Sequence, residues 1–255
     1  MTGRDEYYNR SKQEGYRARS AYKLKQLDAA ADLLAPGDVV VDLGAAPGGW
    51  LQVAAEAVGD AGTVVGVDRQ RIRPLDHDVV ETLRGDMTED ATVDRLRETV
   101  GEAGADAVVS DMAPNMTGEY SVDHARSIHL ARQALGVAED VLAPGGDLVV
   151  KAFDGPDLAE LRADMDETFE YVRSIRPDAS RDSSSEVYLV AKGYLTAPIA
   201  AGDELVVEIT DRGDEGDGIA RVEGFTVFVP DAEVGDRIEV RIDEVKPRFA
   251  FAERV

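Results

Sequence analysis

The chain has 255 residues, 44% of them hydrophobic, enough for one large domain or a large domain with a small companion. It contains no cysteine, which excludes disulfides, zinc–thiolate centres and thiol nucleophiles, and it shows no secretory leader or long apolar span, so a soluble, cytoplasmic protein without a membrane partner is expected. A net charge of −23 argues against nucleic acid at first sight, because phosphate contacts need Lys and Arg.

The charge is uneven along the chain. Residues 1–25 carry Arg4, Arg10, Lys12, Arg17, Arg19, Lys23 and Lys25 against Asp5, Glu6 and Glu14. Tyr7, Tyr8, Tyr16 and Tyr22 are interleaved with them, a composition suited to RNA through phosphate contacts and base stacking. Ser20 caps a predicted helix over 21–34, which Pro36-Gly37 ends. Residues 39–42 read as a buried parallel strand ending in Asp42. A Gly-rich turn with Gly44, Gly48 and Gly49 follows, then a helix over 50–58 that stops at Gly59. Strand, Gly-rich turn and helix N-terminus together form the place where an α/β sheet binds a nucleotide-like ligand. The spacing is neither G-x-G-x-x-G nor a phosphate loop with its Lys and Ser/Thr. Asp42 is suited to a cation or a polar amino-acid head.

Strands are next predicted over 63–68, 79–84, 107–111 and 147–153, alternating with helices over 91–100, 121–142 and 156–169. That order implies a mostly parallel sheet covered on both faces. Strands over 171–176 and 186–191 lack an intervening helix and should pair antiparallel, an arrangement typical of class I methyltransferases. Ligands sit at the carboxyl ends of such sheets, so each strand is read at its last residue. Those residues are Asp68, suited to ribose hydroxyls, Gly85-Asp86, suited to an adenine amine, Asp111, and Lys151 within Lys151-Ala152-Phe153. Acids at three successive strand ends beside a Gly-rich turn fit an adenosine ligand without a triphosphate, and S-adenosylmethionine fits better than ATP.

Lys151 closes an apolar strand in a chain with only six lysines. If the last strand is antiparallel, Glu186 begins it on the same rim as Asp111 and Lys151, and Lys23 in the N-terminal helix is a fourth candidate. A ribose hydroxyl attacking a sulfonium methyl must lose its proton, and an amine that is neutral at that moment can take it. His77, His124 and His129 are not clustered, and no metal-ligand spacing is present.

These motifs resemble the FtsJ/RrmJ family of ribose 2′-O-methyltransferases, the RlmE type acting on large-subunit ribosomal RNA. The resemblance rests on Arg19-Ser20-Ala21-Tyr22-Lys23-Leu24, residues 42–50, Gly85-Asp86, 111–115, 142–146, 149–153 and 180–188. It implies a Rossmann-like α/β fold with a mostly parallel seven-stranded sheet whose last strand is antiparallel. It implies a catalytic tetrad of Lys23, Asp111, Lys151 and Glu186, with Lys151 as general base. It also implies cofactor contacts at Gly48, Trp50, Asp68, Asp86 and Asp111, S-adenosylmethionine as cofactor, and methylation of a uridine ribose in ribosomal RNA of the large subunit.

Residues 196–255 change texture. Short alternating runs over 204–210, 218–222, 225–229 and 237–245, with turns at 211–217, 223–224 and 234–236, read as a small five-stranded all-β barrel, OB-like. Gly216-Asp217-Gly218-Ile219-Ala220 and residues 224–230 are similar to a TRAM domain, an RNA-binding module of RNA-modifying enzymes. The boundary is expected between 1–194 and 195–255. The acidic, Lys-poor composition together with this tail implies a salt-adapted, halophilic archaeal source. The same chemistry on transfer RNA, and a non-catalytic assembly factor that keeps the cofactor pocket, remain open from the sequence. A monomer without an obligate protein partner is expected.

Overall fold

The computed structural model describes residues 4–181, 184–213, 216–246 and 248–255. Residues 1–3 of the basic segment, Asp182 and Ser183 of the 180–188 motif, and Asp214 and Glu215 of the predicted turn 211–217 lie outside the described residues. The chain divides into two compact units, Met1–Tyr194 and Leu195–Val255.

The first unit runs α1 (Arg4–Gln13), α2 (Ala21–Ala31), β1 (Val39–Leu43), α3 (Gly49–Val58), β2 (Thr63–Asp68), β3 (Val80–Arg84), α4 (Asp90–Val100), β4 (Ala105–Ser110), α5 (Tyr120–Val141), β5 (Leu142–Phe153), α6 (Leu158–Thr168), β6 (Phe169–Ile175) and β7 (Glu186–Tyr194). The seven strands lie in the order β3-β2-β1-β4-β5-β7-β6, and β7 is antiparallel to both neighbours. The central strands are apolar at successive positions because both faces are covered. Val41, Leu43, Val65, Val108, Leu148 and Val150 pack beneath Leu96 of α4, Ile128 of α5 and Leu161 of α6. Their alternates Val40, Val64, Val109 and Val149 pack against Leu24 and Leu27 of α2 and Leu51 of α3. Period-two alternation between two buried faces is what a parallel sheet demands.

Several boundaries differ from those the sequence predicts. The N-terminal segment forms α1, whose sequence RDEYYNRSKQ has no apolar period. Its tyrosines are not all free to stack on RNA: Tyr16 and Tyr22 belong to the core, and the Tyr7 ring packs 5.4 Å from that of Tyr22. Helix α2 stops at Ala31 rather than residue 34, because the Asp28 carboxylate accepts from the amides of Leu33 and Leu34, each at 3.0 Å. Strand β5 begins at Leu142, where α5 runs directly into it.

The second unit is a closed barrel of β8 (Glu204–Arg212), β9 (Gly218–Val222), β10 (Phe225–Val229), β11 (Arg237–Val245) and β12 (Phe249–Arg254), in the order β10-β12-β11-β8-β9. Strand β12 is the one the sequence reading did not locate. Its inward residues are Ala250 and Ala252, while Phe249 and Phe251 face outward, which inverts the usual amphipathic signal. Among the described residues no helix is long and apolar enough to cross a membrane.

Candidate active site

The carboxyl ends of the parallel strands share one edge with the start of β7. Register sets Phe153 opposite Glu186, Lys151 opposite Tyr188, and Ser110 opposite Val150, so Asp111 follows directly beside Lys151. Lys151 is 5% exposed and donates from Nζ to Asp111 Oδ1 at 2.8 Å and to the Asp111 carbonyl at 2.5 Å. Lys23 arrives from α2, only 6% exposed, and donates to Glu186 Oε2 at 2.9 Å, with Asp111 Oδ1 at 3.7 Å. The four residues named from the sequence are therefore brought together. Buried charges persist only when paired, and here each cation has a carboxylate partner.

Tyr188 was not among the sequence candidates. Its hydroxyl donates to Asp111 Oδ1 at 2.6 Å, and its ring centroid lies 5.5 Å from Lys23 Nζ. Burial, then the Asp111 charge, pushes this hydroxyl well above the ordinary tyrosine value, so it remains a donor. At Asp111 burial works in the opposite sense to the rest of the site. Burial raises the carboxyl, but Lys151 and Lys23, with the hydrogen bonds from Lys151 and Tyr188, bring it below its usual range. A charged Asp111 thus orients two amines and one phenol.

The Gly-rich turn lies at the same edge. Gly44 and Gly48 have φ of +79° and +107°, a region side chains disfavour. Helix α3 starts after Gly48 without a side-chain cap, so the amides of its first turn lack intrahelical acceptors. The Trp50 amide is one of these, while its indole is 3% exposed and donates to the Ser20 carbonyl at 2.7 Å. Asp68 accepts from the amides of Ala46 at 2.9 Å and Gln70 at 2.6 Å, tying the turn to the end of β2. Asp86 accepts from the amide and hydroxyl of Thr88 at 3.1 and 2.9 Å, which lowers its carboxyl below the usual range. Asp42 is 1% exposed, and its Oδ2 has no hydrogen-bond partner among the described residues. Burial, then the charges of Asp111 and Asp68, raises its carboxyl well above the usual value.

Arg17, from the basic N-terminal segment, straps this region. Its guanidinium donates to the carbonyls of Pro47 at 3.2 Å, Arg73 at 2.6 Å and Pro74. His124, unremarkable in the sequence, is buried beneath the loop after β5, whereas His129 is exposed on α5.

Known proteins carry the same organisation. The family of FtsJ-like methyltransferases matches residues 16–194, and the TRAM domain family matches residues 200–255. The chain is 68% identical over 255 residues to a protein of Halorubrum lacusprofundi named ribosomal RNA large subunit methyltransferase E, covering all of this chain and 95% of that one. It is 68% identical over 253 residues to a protein of the same name from Natronomonas pharaonis, covering 99% of each. A crystal structure described as a ribosomal RNA methyltransferase of Plasmodium falciparum aligns with TM-score 0.63 and 27% identity over 70% of this chain and 98% of that one. A seven-stranded sheet with one reversed strand, and a lysine–carboxylate cluster on its rim, thus accompany a family match across most of the chain: the protein belongs to the FtsJ-like methyltransferases and carries a TRAM domain.

Proposed function

We propose that this protein transfers a methyl group from S-adenosylmethionine to a ribose 2′-hydroxyl, that of a uridine in large-subunit ribosomal RNA. The observation that carries the reading is the buried Lys151 amine beside Asp111, with Lys23 and Glu186 closing the cluster. The residues at the Gly-rich turn fit the cofactor. An orphaned buried carboxyl oxygen on Asp42, amides at the start of α3, and carboxylates on Asp68 and Asp86 make a donor and acceptor set for a zwitterionic nucleoside without phosphates. Gly48 and the Trp50 main chain would hold its amino-acid end, Asp68 its ribose, Asp86 its adenine amine, and Asp111 would border its reactive end.

When bound, the cofactor supplies a methyl group already activated by the sulfonium charge. The chain's own residues do the remainder. Lys151, in its neutral form and held by Asp111, would take the proton of the ribose 2′-hydroxyl at Nζ. Asp111 fixes the amine through two hydrogen bonds, and Tyr188 fixes Asp111. Lys23 and Glu186 neutralise each other beside the reacting atoms and set the local field. Relatives named as acting on large-subunit ribosomal RNA support that substrate, and the TRAM domain supports a second RNA contact.

The test offers methyl-labelled S-adenosylmethionine and purified protein, at high salt, to large ribosomal subunits, free ribosomal RNA and transfer RNA, with modified nucleosides read by mass spectrometry. A 2′-O-methyluridine in large-subunit RNA is expected. Lys151→Ala should lower turnover by about 10²–10⁴-fold, the scale of a general base. Cofactor affinity by calorimetry should stay unchanged. Label confined to transfer RNA would overturn the substrate, and normal turnover in Lys151→Ala would overturn the base.

A further inference from the structure

The loop after β4 and the first residue of α5 leave two large apolar side chains in solvent: Met116 is 63% exposed and Tyr120 is 58% exposed. An isolated exposed aromatic is ordinary, but Tyr120 is exposed and held. Its ring lies nearly parallel to the His124 imidazole, at 13° and 6.2 Å between centroids, and its hydroxyl donates to the Asp154 carbonyl. His124 is itself buried and hydrogen-bonded at both ring nitrogens. It is 2% exposed, its Nδ1 lies 3.0 Å from the Phe153 carbonyl and so carries the hydrogen, and its Nε2 accepts from the Asp157 amide at 3.3 Å. The Ser127 hydroxyl accepts from the Phe153 amide at 3.0 Å. A ring fixed in this way has little rotamer freedom left to lose when something lies on it.

Its position gives the ring a use. Asp154, which holds the Tyr120 hydroxyl, stands three residues beyond Lys151 at the end of β5. Arg176 donates to the Asp154 carboxylate at 2.6 Å and to the Glu186 carbonyl at 3.4 Å, and its side chain is half exposed. A fixed aromatic face, a guanidinium and the Lys151 cluster therefore share one rim. A flat apolar face next to a cation suits a nucleotide: the base lies on the ring and the phosphate lies toward the guanidinium.

We propose that Tyr120 is a stacking platform for a nucleobase of the substrate RNA, beside the ribose whose 2′-hydroxyl meets Lys151. This rests on the reading of the protein as an RNA methyltransferase. It gives the start of α5 a substrate-binding role separate from the acid–base cluster.

Steady-state methylation of ribosomal RNA at saturating S-adenosylmethionine tests it, with wild type, Tyr120→Ala and Tyr120→Phe. One stacked base lost corresponds to about 5–150-fold in affinity. Tyr120→Ala should accordingly raise the KM for RNA by about ten-fold or more. Its kcat should stay within about two-fold of wild type. Its calorimetric affinity for S-adenosylmethionine should be unchanged, and Tyr120→Phe should restore most of the RNA KM. An unchanged KM in Tyr120→Ala would overturn the proposal. So would Tyr120→Phe failing as badly as Tyr120→Ala, because the hydroxyl's hold on Asp154 would then be what matters. Impairment on assembled subunits with none on naked RNA would also overturn it, in favour of a protein contact. Wild-type enzyme that methylates no RNA would instead overturn the underlying function, a result visible before any variant is compared.

Discussion

Asp42 and Asp111 stand at the ends of neighbouring strands, and their carboxyls are driven in opposite directions. Asp111 is held below its usual range because two lysines and a phenol outweigh its burial. Asp42 is raised because it is buried, faces the charges of Asp111 and Asp68, and keeps an oxygen without a partner. The signs of their pH effects follow. Asp111 binds its proton less tightly in the folded state, so its contribution is present above the unfolded value of about 3.9 and is lost as pH falls through the folded value. Asp42 binds its proton more tightly when folded, so stability declines as pH rises from about 3.9 toward its raised folded value. Asp42→Asn removes that decline. The Tm advantage of Asp42→Asn over wild type, measured without cofactor, should be near zero at about pH 4 and grow toward about pH 7.5. Each kcal/mol recovered corresponds to about 2–4 °C in a domain of this size. A Tm difference that does not change with pH would show that the Asp42 carboxyl is not strained by ionisation.

At the scale of elements, the site depends on how closely α3 and the Gly-rich turn approach β2. Gly66 lies between Asp42 of β1 and Thr82 of β3, and a Cβ there would meet the Leu51 methyls at 2.8 and 2.9 Å and the Ala45 Cβ at 3.2 Å. The bare backbone lets the helix seat the turn over the strand ends. Gly66→Ala should cost about 1–3 kcal/mol by overpacking, read as a lower urea midpoint. An unchanged midpoint would mean that Leu51 turns aside freely. Much of this architecture was legible in the sequence, because strands buried on both faces are continuous apolar runs and their last residues mark the rim. Asp68, Asp86, Asp111 and Lys151 stand at strand ends in that way, Glu186 follows from the reversed direction of the last strand, and Lys23 is a candidate on the N-terminal helix. The indole of Trp50, a residue at which the resemblance implies a cofactor contact, packs in the core against Ser20 and Tyr188. What was not legible depends on partners distant in the chain. Tyr188 reaches Asp111 only through the antiparallel register of β5 and β7, His124 acquires its role from the carbonyl of Phe153, and the lone oxygen of Asp42 is a fact of burial. Helix α1 left no periodic signal, since its ordering comes from Tyr7 packing on Tyr22 and accepting from Gln26 at 3.1 Å.

At the scale of the whole molecule, 51 acidic residues face 28 basic ones, so the folded chain carries a net charge of −23. Compaction brings those carboxylates together, and self-repulsion opposes the folded state. The range of that repulsion is set by salt: the screening length is about 10 Å at 0.1 M and about 3 Å at 1 M. At the higher value most surface carboxylates no longer sense one another, while the buried Lys151–Asp111 and Lys23–Glu186 pairs are screened much less. Salt should therefore relieve repulsion without dissolving the active centre. It should also reduce the long-range repulsion between an acidic protein and an RNA substrate, leaving recognition to short-range contacts such as a stacked base. Raising KCl from about 0.1 M to about 2 M should raise the Tm followed by circular dichroism. The gain should shrink as pH is lowered toward the sequence pI of about 4.4, because protonated carboxylates have no repulsion to screen. A Tm that is flat or falls with KCl at neutral pH would show that self-repulsion does not limit this fold. A gain that persists undiminished near the pI would assign the effect to ion binding or to salting-out of apolar surface instead of screening.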